Sequence, residues 1–238
     1  MAQLEGPAQS IPAVCDFHTH TTLSDGVLSP IELVHRAIVA GYRALGIADH
    51  TGAGTLKRIV AEITEDCRFA WEYWGFVVVP AVELTHVPAR SISSLAPRAR
   101  ELGAALVIVH GETIVEPVEP GTNLAAATCS DVDILAHPGL LDEASAEAAA
   151  ERGVFLEISA RPGHDLGNGL VAKRAAAAGA KLILGSDCHG PEQLLTPSFG
   201  LAVLMGAGLD EPQARAVLEA NAQELLQRCR DRLDWLTA

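Results

Sequence analysis

The histidines and carboxylates of this chain carry its chemistry, and their spacing is regular. His18-Thr19-His20 sets two imidazoles two residues apart. On an extended chain such residues point to the same side and can share one ion. Asp187 and His189 repeat that relation late in the chain. Between them come Asp25 in the turn Ser24-Asp25-Gly26, then Asp49-His50, Glu83, His110, His137-Pro138 and Glu157. A donor set of His and carboxylate without thiolate suits Zn²⁺, Mn²⁺ or Fe, and not a structural thiolate zinc site. So many candidate ligands are too many for one ion and suit two or three, with one carboxylate bridging. A cluster of this kind makes hydroxide from water near neutral pH and neutralises phosphoryl oxygens in an in-line displacement.

These residues need elements that bring them together. Apolar runs at Val14–His18, Arg43–Ala48, Phe76–Glu83, Ala104–His110, Val132–His137, Val154–Ile158 and Lys181–Ser186 read as parallel strands covered on both faces. Helical stretches near 30–40, 55–74, 90–102, 142–152, 168–178 and 197–206 lie among them, and a last helix is expected from about Glu211 to Trp235. Ser29-Pro30 sets a cap before a first-turn proline, and Gly41, Gly103, Gly153 and Gly179 stand where helices should stop. Six of the nine histidines fall at strand ends. Isolated buried histidines often only satisfy core hydrogen bonds, but six at successive strand ends beside Asp and Glu argue for a site. An open sheet would string these ends along one edge, whereas a closed barrel converges them on one mouth. The expected fold is therefore a distorted (β/α)7 TIM-like barrel. It forms a single domain over 1–238, with the motifs in about 14–190 and C-terminal helices in about 191–238.

Composition sets the outer bounds. Hydrophobic residues make up 49% of the 238 residues and charged residues 20%, a globular balance. No run of about 18 apolar residues suggests a membrane span. The start MAQLEGPAQSIPA has no basic residue and no apolar segment, so no secretory signal is read. Five scattered cysteines without CxxC spacing argue against a disulfide framework. A reduced cytoplasmic setting is expected. A net charge of −13 opposes binding of a long nucleic acid, which needs basic phosphate contacts. A small phosphorylated partner needs only a local positive site, which metal ions supply.

The run DFHTHTTLSDGVLSP, the following ADH, the VELTH of the third strand, the late AHPG and the terminal GSDCHG together resemble the PHP (polymerase and histidinol phosphatase) family over about residues 14 to 190. The resemblance implies a distorted (β/α)7 barrel with up to three metal ions at its C-terminal mouth, and phosphoester hydrolysis. It implies one ion held by His18, His20, Glu83 and Asp187, and a second by Glu83 (bridging), His110 and His137. A third falls to Asp25, His50 and His189. None of the nine is missing, which favours an enzyme over a scaffold. Histidinol phosphatases of the family carry His where this chain has Asp25, and its SDG turn is closer to the general phosphoesterases. The family's nucleotide phosphatases carry an inserted subdomain for which this chain has no room. The stretch HGETIVEPVEPGTN, residues 110 to 123, resembles that of a compact histidinol-phosphatase-like subgroup.

The expected activity is hydrolysis of a small phosphomonoester. Alternatives are a nucleotide or oligonucleotide phosphoesterase, an amidohydrolase, and a non-catalytic metal-containing module. Arg161 suits a phosphate grip. His164 is read as a substrate contact or proton donor, against a plain loop histidine. Asp187 or a metal-held histidine such as His20 would handle protons. His86 is a candidate for the mouth, and Glu157 points either into the barrel behind a ligand or toward the mouth. Asp16 and Asp49 either orient imidazoles or make strand-end hydrogen bonds. Cys188 reads as a buried filler and His35 as surface. The acidic loop with Glu112, Glu116 and Glu119 either walls the pocket against a cationic substrate or is merely solvated. Trp71 and Trp74 share a helical stretch that suits core or interface, so the oligomeric state stays open.

Overall fold

The structure, a computed structural model, describes residues 10–236. Residues 1–9, on which most of the leader reading rests, and 237–238 lie outside the described residues. Seven strands form the sheet: β1 (Cys15–Thr19), β2 (Ala44–Ile47), β3 (Val78–Leu84), β4 (Leu106–His110), β5 (Ile134–Ala136), β6 (Phe155–Ser159) and β7 (Leu182–Gly185). They pair in chain order, all parallel. A two-residue strand, His50–Thr51, continues the path of β2 and sets His50 opposite Glu83. One parallel bridge between Thr19 and Cys188 brings the end of the sheet back to its start. The result is a nearly closed (β/α)7 barrel, as the strand-end pattern predicts.

The helices α1 (Pro30–Val39), α2 (Leu56–Trp74), α3 (Ile92–Leu102), α4 (Thr122–Thr128), α5 (Glu143–Arg152), α6 (Asn168–Ala178) and α7 (Pro197–Gly206) cover the strands. Local chemistry sets their ends. Ser29 Oγ accepts from the N–H of Glu32 at 3.4 Å, with Pro30 in the first turn. Asp142 does the same for Ser145 at 2.7 Å. Gly153 (φ 70°) and Gly179 (φ 73°) end α5 and α6 in the left-handed conformation that a side chain disfavours.

Two differences from the sequence reading stand out. Helix α4 is absent from it: its start, Gly121, has no side chain to cap with, and Pro117 and Pro120 precede it. The expected last helix is continuous from Glu211 to Arg230 but takes a π-turn in its middle and stops short of Trp235. It runs as α8 (Glu211–Ala216), a π-turn over Val217–Asn221 and α9 (Ala222–Arg230), then ends in a turn before the short 3-10 segment Asp234–Leu236.

Apolar packing explains why the mouth is the polar end. In β4, Val107 and Val109 face the helices, while Leu106 and Ile108 join the inner core with Phe17, Ile134, Phe155 and Ile183. Leu225, Leu226 and Cys229 of α9, with Leu233 and Leu236 beyond it, pack into that same inner core. Arg232 donates to the carbonyl of Ala105 and Asn221 to that of Leu182, both at strand starts. The C-terminal segment thus floors the barrel at the N-terminal ends of its strands. No helix among the described residues is long and apolar enough to cross a membrane.

Candidate metal centre

Above this floor the inward positions change from apolar to ionisable. On β4 the alternation carries on to His110, and on β6 from Phe155 to Glu157. On β1 it needs a device. Cys15 and Phe17 face the inner core, so strict alternation would turn His18 outward. The β1–β2 register slips there: Asp16 lies opposite Leu45 but Thr19 opposite Ile47. This bulge re-aims His18 and His20 into the barrel. Asp16 Oδ1 braces it, accepting from the N–H groups of His18 and Ser186 at 3.2 Å each. The residues other than glycine with positive φ among those described are His86 (51°), His137 (26°) and Asp187 (51°), all at this mouth. Such backbone is costly and gathers where function needs it.

The structure brings all nine expected ligands together around two carboxylates. Glu83 Oε1 lies 3.4 Å from His18 Nε2, 3.3 Å from His110 Nδ1 and 3.5 Å from His137 Nε2. Its Oε2 lies 2.6 Å from His50 Nδ1 and 3.7 Å from His20 Nε2. Asp187 Oδ1 lies 3.1 Å from His20 Nε2 and 3.4 Å from His189 Nδ1. Asp25, at the rim, sits 3.5 Å from His50 Nε2 and 3.2 Å from His189 Nε2. Among the described residues five groupings suit ions: His18 with His20 and Asp187, His18 with Glu83 and His137, His20 with Asp25, His50 and His189, His86 with His110 and Glu116, and His137 with His164 and Asp187.

The donor chemistry fits divalent cations. His18 Nε2, both nitrogens of His20, His110 Nδ1, His189 Nε2 and Glu83 Oε1 are buried without a hydrogen-bond partner. Buried polar atoms are rarely left so, and these converge. Burial works against an ionised Glu83, yet the facing His18 and His50 hold its carboxyl well below the usual range. Burial likewise pushes His20 down to about 4, against the pull of Asp187. Glu157 lies behind the ligands rather than at the mouth. Its Oε2 meets His18 Nδ1 at 2.6 Å and so turns Nε2 toward the centre.

A cavity of about 440 Å³ opens over this cluster. Asp25, His50, His189 and Asp187 form part of its lining, with Thr51, Thr55 and Thr85 among the remainder. Arg161 and His164 both reach it. Arg161 Nη1 donates to the Asp187 carbonyl at 2.9 Å and touches His189 Nδ1. His164 is buried with Nδ1 3.3 Å from Asp187 Oδ2. His86 stands at the mouth beside His110, with ring centroids 4.8 Å apart. Of the acidic loop, Glu116 reaches the cavity, whereas Glu112 turns back to accept from the N–H groups of Gly121 and Asn123.

Some open readings are decided, and some residues were unforeseen. Of their two readings, Asp16 and Asp49 follow the second, making strand-end hydrogen bonds. Asp49 accepts from the Thr21 N–H at 2.8 Å and from the Ser24 hydroxyl at 2.5 Å, which fixes the turn that presents Asp25. Cys188 is buried with its thiol pushed up to about 12 by desolvation, in keeping with a filler. The threonine wall has no sequence signal, since isolated threonines at strand ends are ordinary. The contacts of Glu116 depend on the path of its loop, which spacing alone does not reveal.

No family model matches the chain. It is 45% identical over 214 residues to an uncharacterized protein of Methanocaldococcus jannaschii, covering 90% of this chain and 98% of that one. It is 27% identical over 234 residues to ribonuclease P protein component 3 of Methanosarcina mazei, covering 92% and 91% of the two chains. Among solved structures, it shares the fold of a two-domain protein from Bacteroides vulgatus containing a predicted PHP-like metal-dependent phosphoesterase. There the TM-score is 0.51 at 14% identity, over 98% of this chain and 75% of that one. The first relation spans nearly both chains, so this chain and the Methanocaldococcus jannaschii protein belong to one family; the motifs DFHTH, ADH, VELTH, AHPG and GSDCHG gathered at one barrel mouth, on a fold shared with a PHP-like phosphoesterase, resemble those of the PHP (polymerase and histidinol phosphatase) family.

Proposed function

We propose that this protein is a metal-dependent phosphomonoesterase acting on a small phosphorylated molecule. The observation that carries the reading is the convergence of nine His and carboxylate side chains, several with orphaned buried atoms, beneath a cavity of about 440 Å³. In this reading His18, His20, Glu83 and Asp187 hold one divalent ion (Zn²⁺, Mn²⁺ or Fe), and Glu83, His110 and His137 a second. Asp25, His50 and His189 hold a third. Ions bound there supply a hydroxide at neutral pH and neutralise phosphoryl oxygens. Arg161 grips the substrate phosphate from the rim, with its Nη1 fixed by the Asp187 carbonyl. Asp187 is the residue placed to handle protons, since its carboxylate keeps a second oxygen beside the Oδ1 that lies 3.1 Å from His20 Nε2. The cavity size suits a metabolite.

The relation to ribonuclease P protein component 3 favours a second reading, action on or assembly with RNA. Against it stand the net charge of −13 and a rim that includes Asp25 and Glu116, with Arg161 the one Lys or Arg in the lining. Phosphate release by the Mn²⁺- or Zn²⁺-loaded protein decides between them. The substrates are L-histidinol phosphate, nucleoside monophosphates, nucleoside 3′,5′-bisphosphates and a short oligonucleotide, each with Asp187→Asn as control. A monoester turned over with kcat/KM above about 10⁴ M⁻¹s⁻¹ and lost in the control supports the proposal. Preference for the oligonucleotide supports the RNA reading. No turnover at full metal occupancy leaves a binding module.

A further inference from the structure

One carboxylate at the mouth has no place among the nine ligands, yet it is hydrogen-bonded to the imidazole of His164 and lies close to that of His110, whose Nε2 has no hydrogen-bond partner. Glu116 Oε2 lies 3.1 Å from His110 Nε2, and Glu116 Oε1 lies 3.2 Å from His164 Nε2. In both rings the other nitrogen, Nδ1, faces the centre: that of His110 is 3.3 Å from Glu83 Oε1, and that of His164 is 3.3 Å from Asp187 Oδ2. Both Nδ1 atoms are buried and without a hydrogen-bond partner. His164 is 5% exposed, and its ring lies 4.2 Å from that of His137. His137, His164 and Asp187 offer ligand atoms close enough to share one ion.

A neutral imidazole that donates Nε2–H to a carboxylate presents a lone pair at Nδ1. That form binds a metal and does not donate a proton from Nδ1. The loop is built to hold Glu116 there. Glu112 Oε1 accepts from Gly121 and Asn123, Asn123 Oδ1 accepts from the Glu112 N–H, and Val115 packs on Gly163 next to His164.

We propose that His164 is a tenth metal ligand, binding through Nδ1 beside His137, and that Glu116 is the positioning residue that fixes the tautomer of His164. The inference rests on the metal reading above and replaces the expectation that His164 donates a proton. It makes the ion near His137 more enclosed by protein than the nine-residue set alone would.

The test is metal binding, read without turnover. Wild type, His164→Ala, His164→Asn, Glu116→Gln and Glu116→Asp are loaded with Zn²⁺. Each is titrated with a competing chelator, and bound ions per chain are counted by mass spectrometry. Co²⁺-loaded samples give a visible spectrum sensitive to ligand number, and circular dichroism checks that each variant folds. We expect one ion to bind at least about tenfold more weakly in both His164 variants, with the others unmoved and the cobalt bands altered. Glu116→Gln weakens the same ion by a smaller factor, and Glu116→Asp recovers part of the loss. Unchanged affinity and spectrum in a folded His164→Asn protein would overturn the inference. So would loss of all ions together, or weakening of a different ion by Glu116→Gln. A wild type that binds no ion would instead sink the metal reading itself, and this inference with it.

Discussion

The two ends of the barrel interior are built on opposite principles. At the floor, Phe17, Leu106, Ile108 and Phe155 close against Leu225, Leu226 and Cys229, and nearby polar groups are matched. Arg100 and Arg232 both bind Asp133, which also accepts from the Val107 N–H at 2.9 Å. At the mouth, a few residues further along the same strands, buried imidazoles and carboxylates crowd together with their ring nitrogens unmatched. The floor is complete as protein. The mouth leaves several buried atoms unmatched by protein, in groupings that suit divalent cations. Stability and chemistry are thus segregated along the strand axis, as in barrels generally.

That segregation can be broken from either end. The largest expected effect is Asp187→Asn, which should lower kcat/KM by on the order of 10³-fold while the fold persists. Steady-state kinetics beside circular dichroism check it, and loss of fold would place Asp187 in the scaffold. Next is Leu225→Ala in the floor, which should cost about 2–5 kcal/mol in urea unfolding and leave activity per folded molecule unchanged. Glu157→Gln should weaken metal binding by about 10–100-fold through His18, read by chelator competition. Arg161→Ala should lower kcat/KM by at least about tenfold at unchanged metal content, and unaltered kinetics would take it out of the site. The smallest effect is a fall in Tm of a few degrees on chelation, confined to the ion-loaded form. An unmoved Tm would mean that the mouth is complete without ions.

Much of this was legible in the sequence because strand period and site chemistry coincide. An apolar run ending in His or Glu is a strand that changes environment at its tip, and the runs ending at Glu83, His110 and His137 did so within a residue or two of the observed ends. What was hidden has physical causes. The bulge that turns His18 inward arises from pairing with β2, which a single run does not encode. Helix α4 lacks a capping side chain and follows two prolines, so local signals point to loop. The π-turn at Val217–Asn221 lies in a stretch with no Gly or Pro to mark it. Glu116 acts through contacts with residues distant in sequence, and its loop looked merely acidic.

The weak closure of the barrel has its own consequence. Among the described residues, the end of the sheet meets β1 through a single bridge, Thr19 with Cys188, and the His20 N–H gives its bond to Cys188 at 2.8 Å. His18 and His20 stand on one side of this seam, Asp187 and His189 on the other. Any ion shared between them is a rivet across the joint. Metal binding would then reinforce a joint that the protein already closes with a few hydrogen bonds, and so couple the strength of the cylinder to the occupancy of the site.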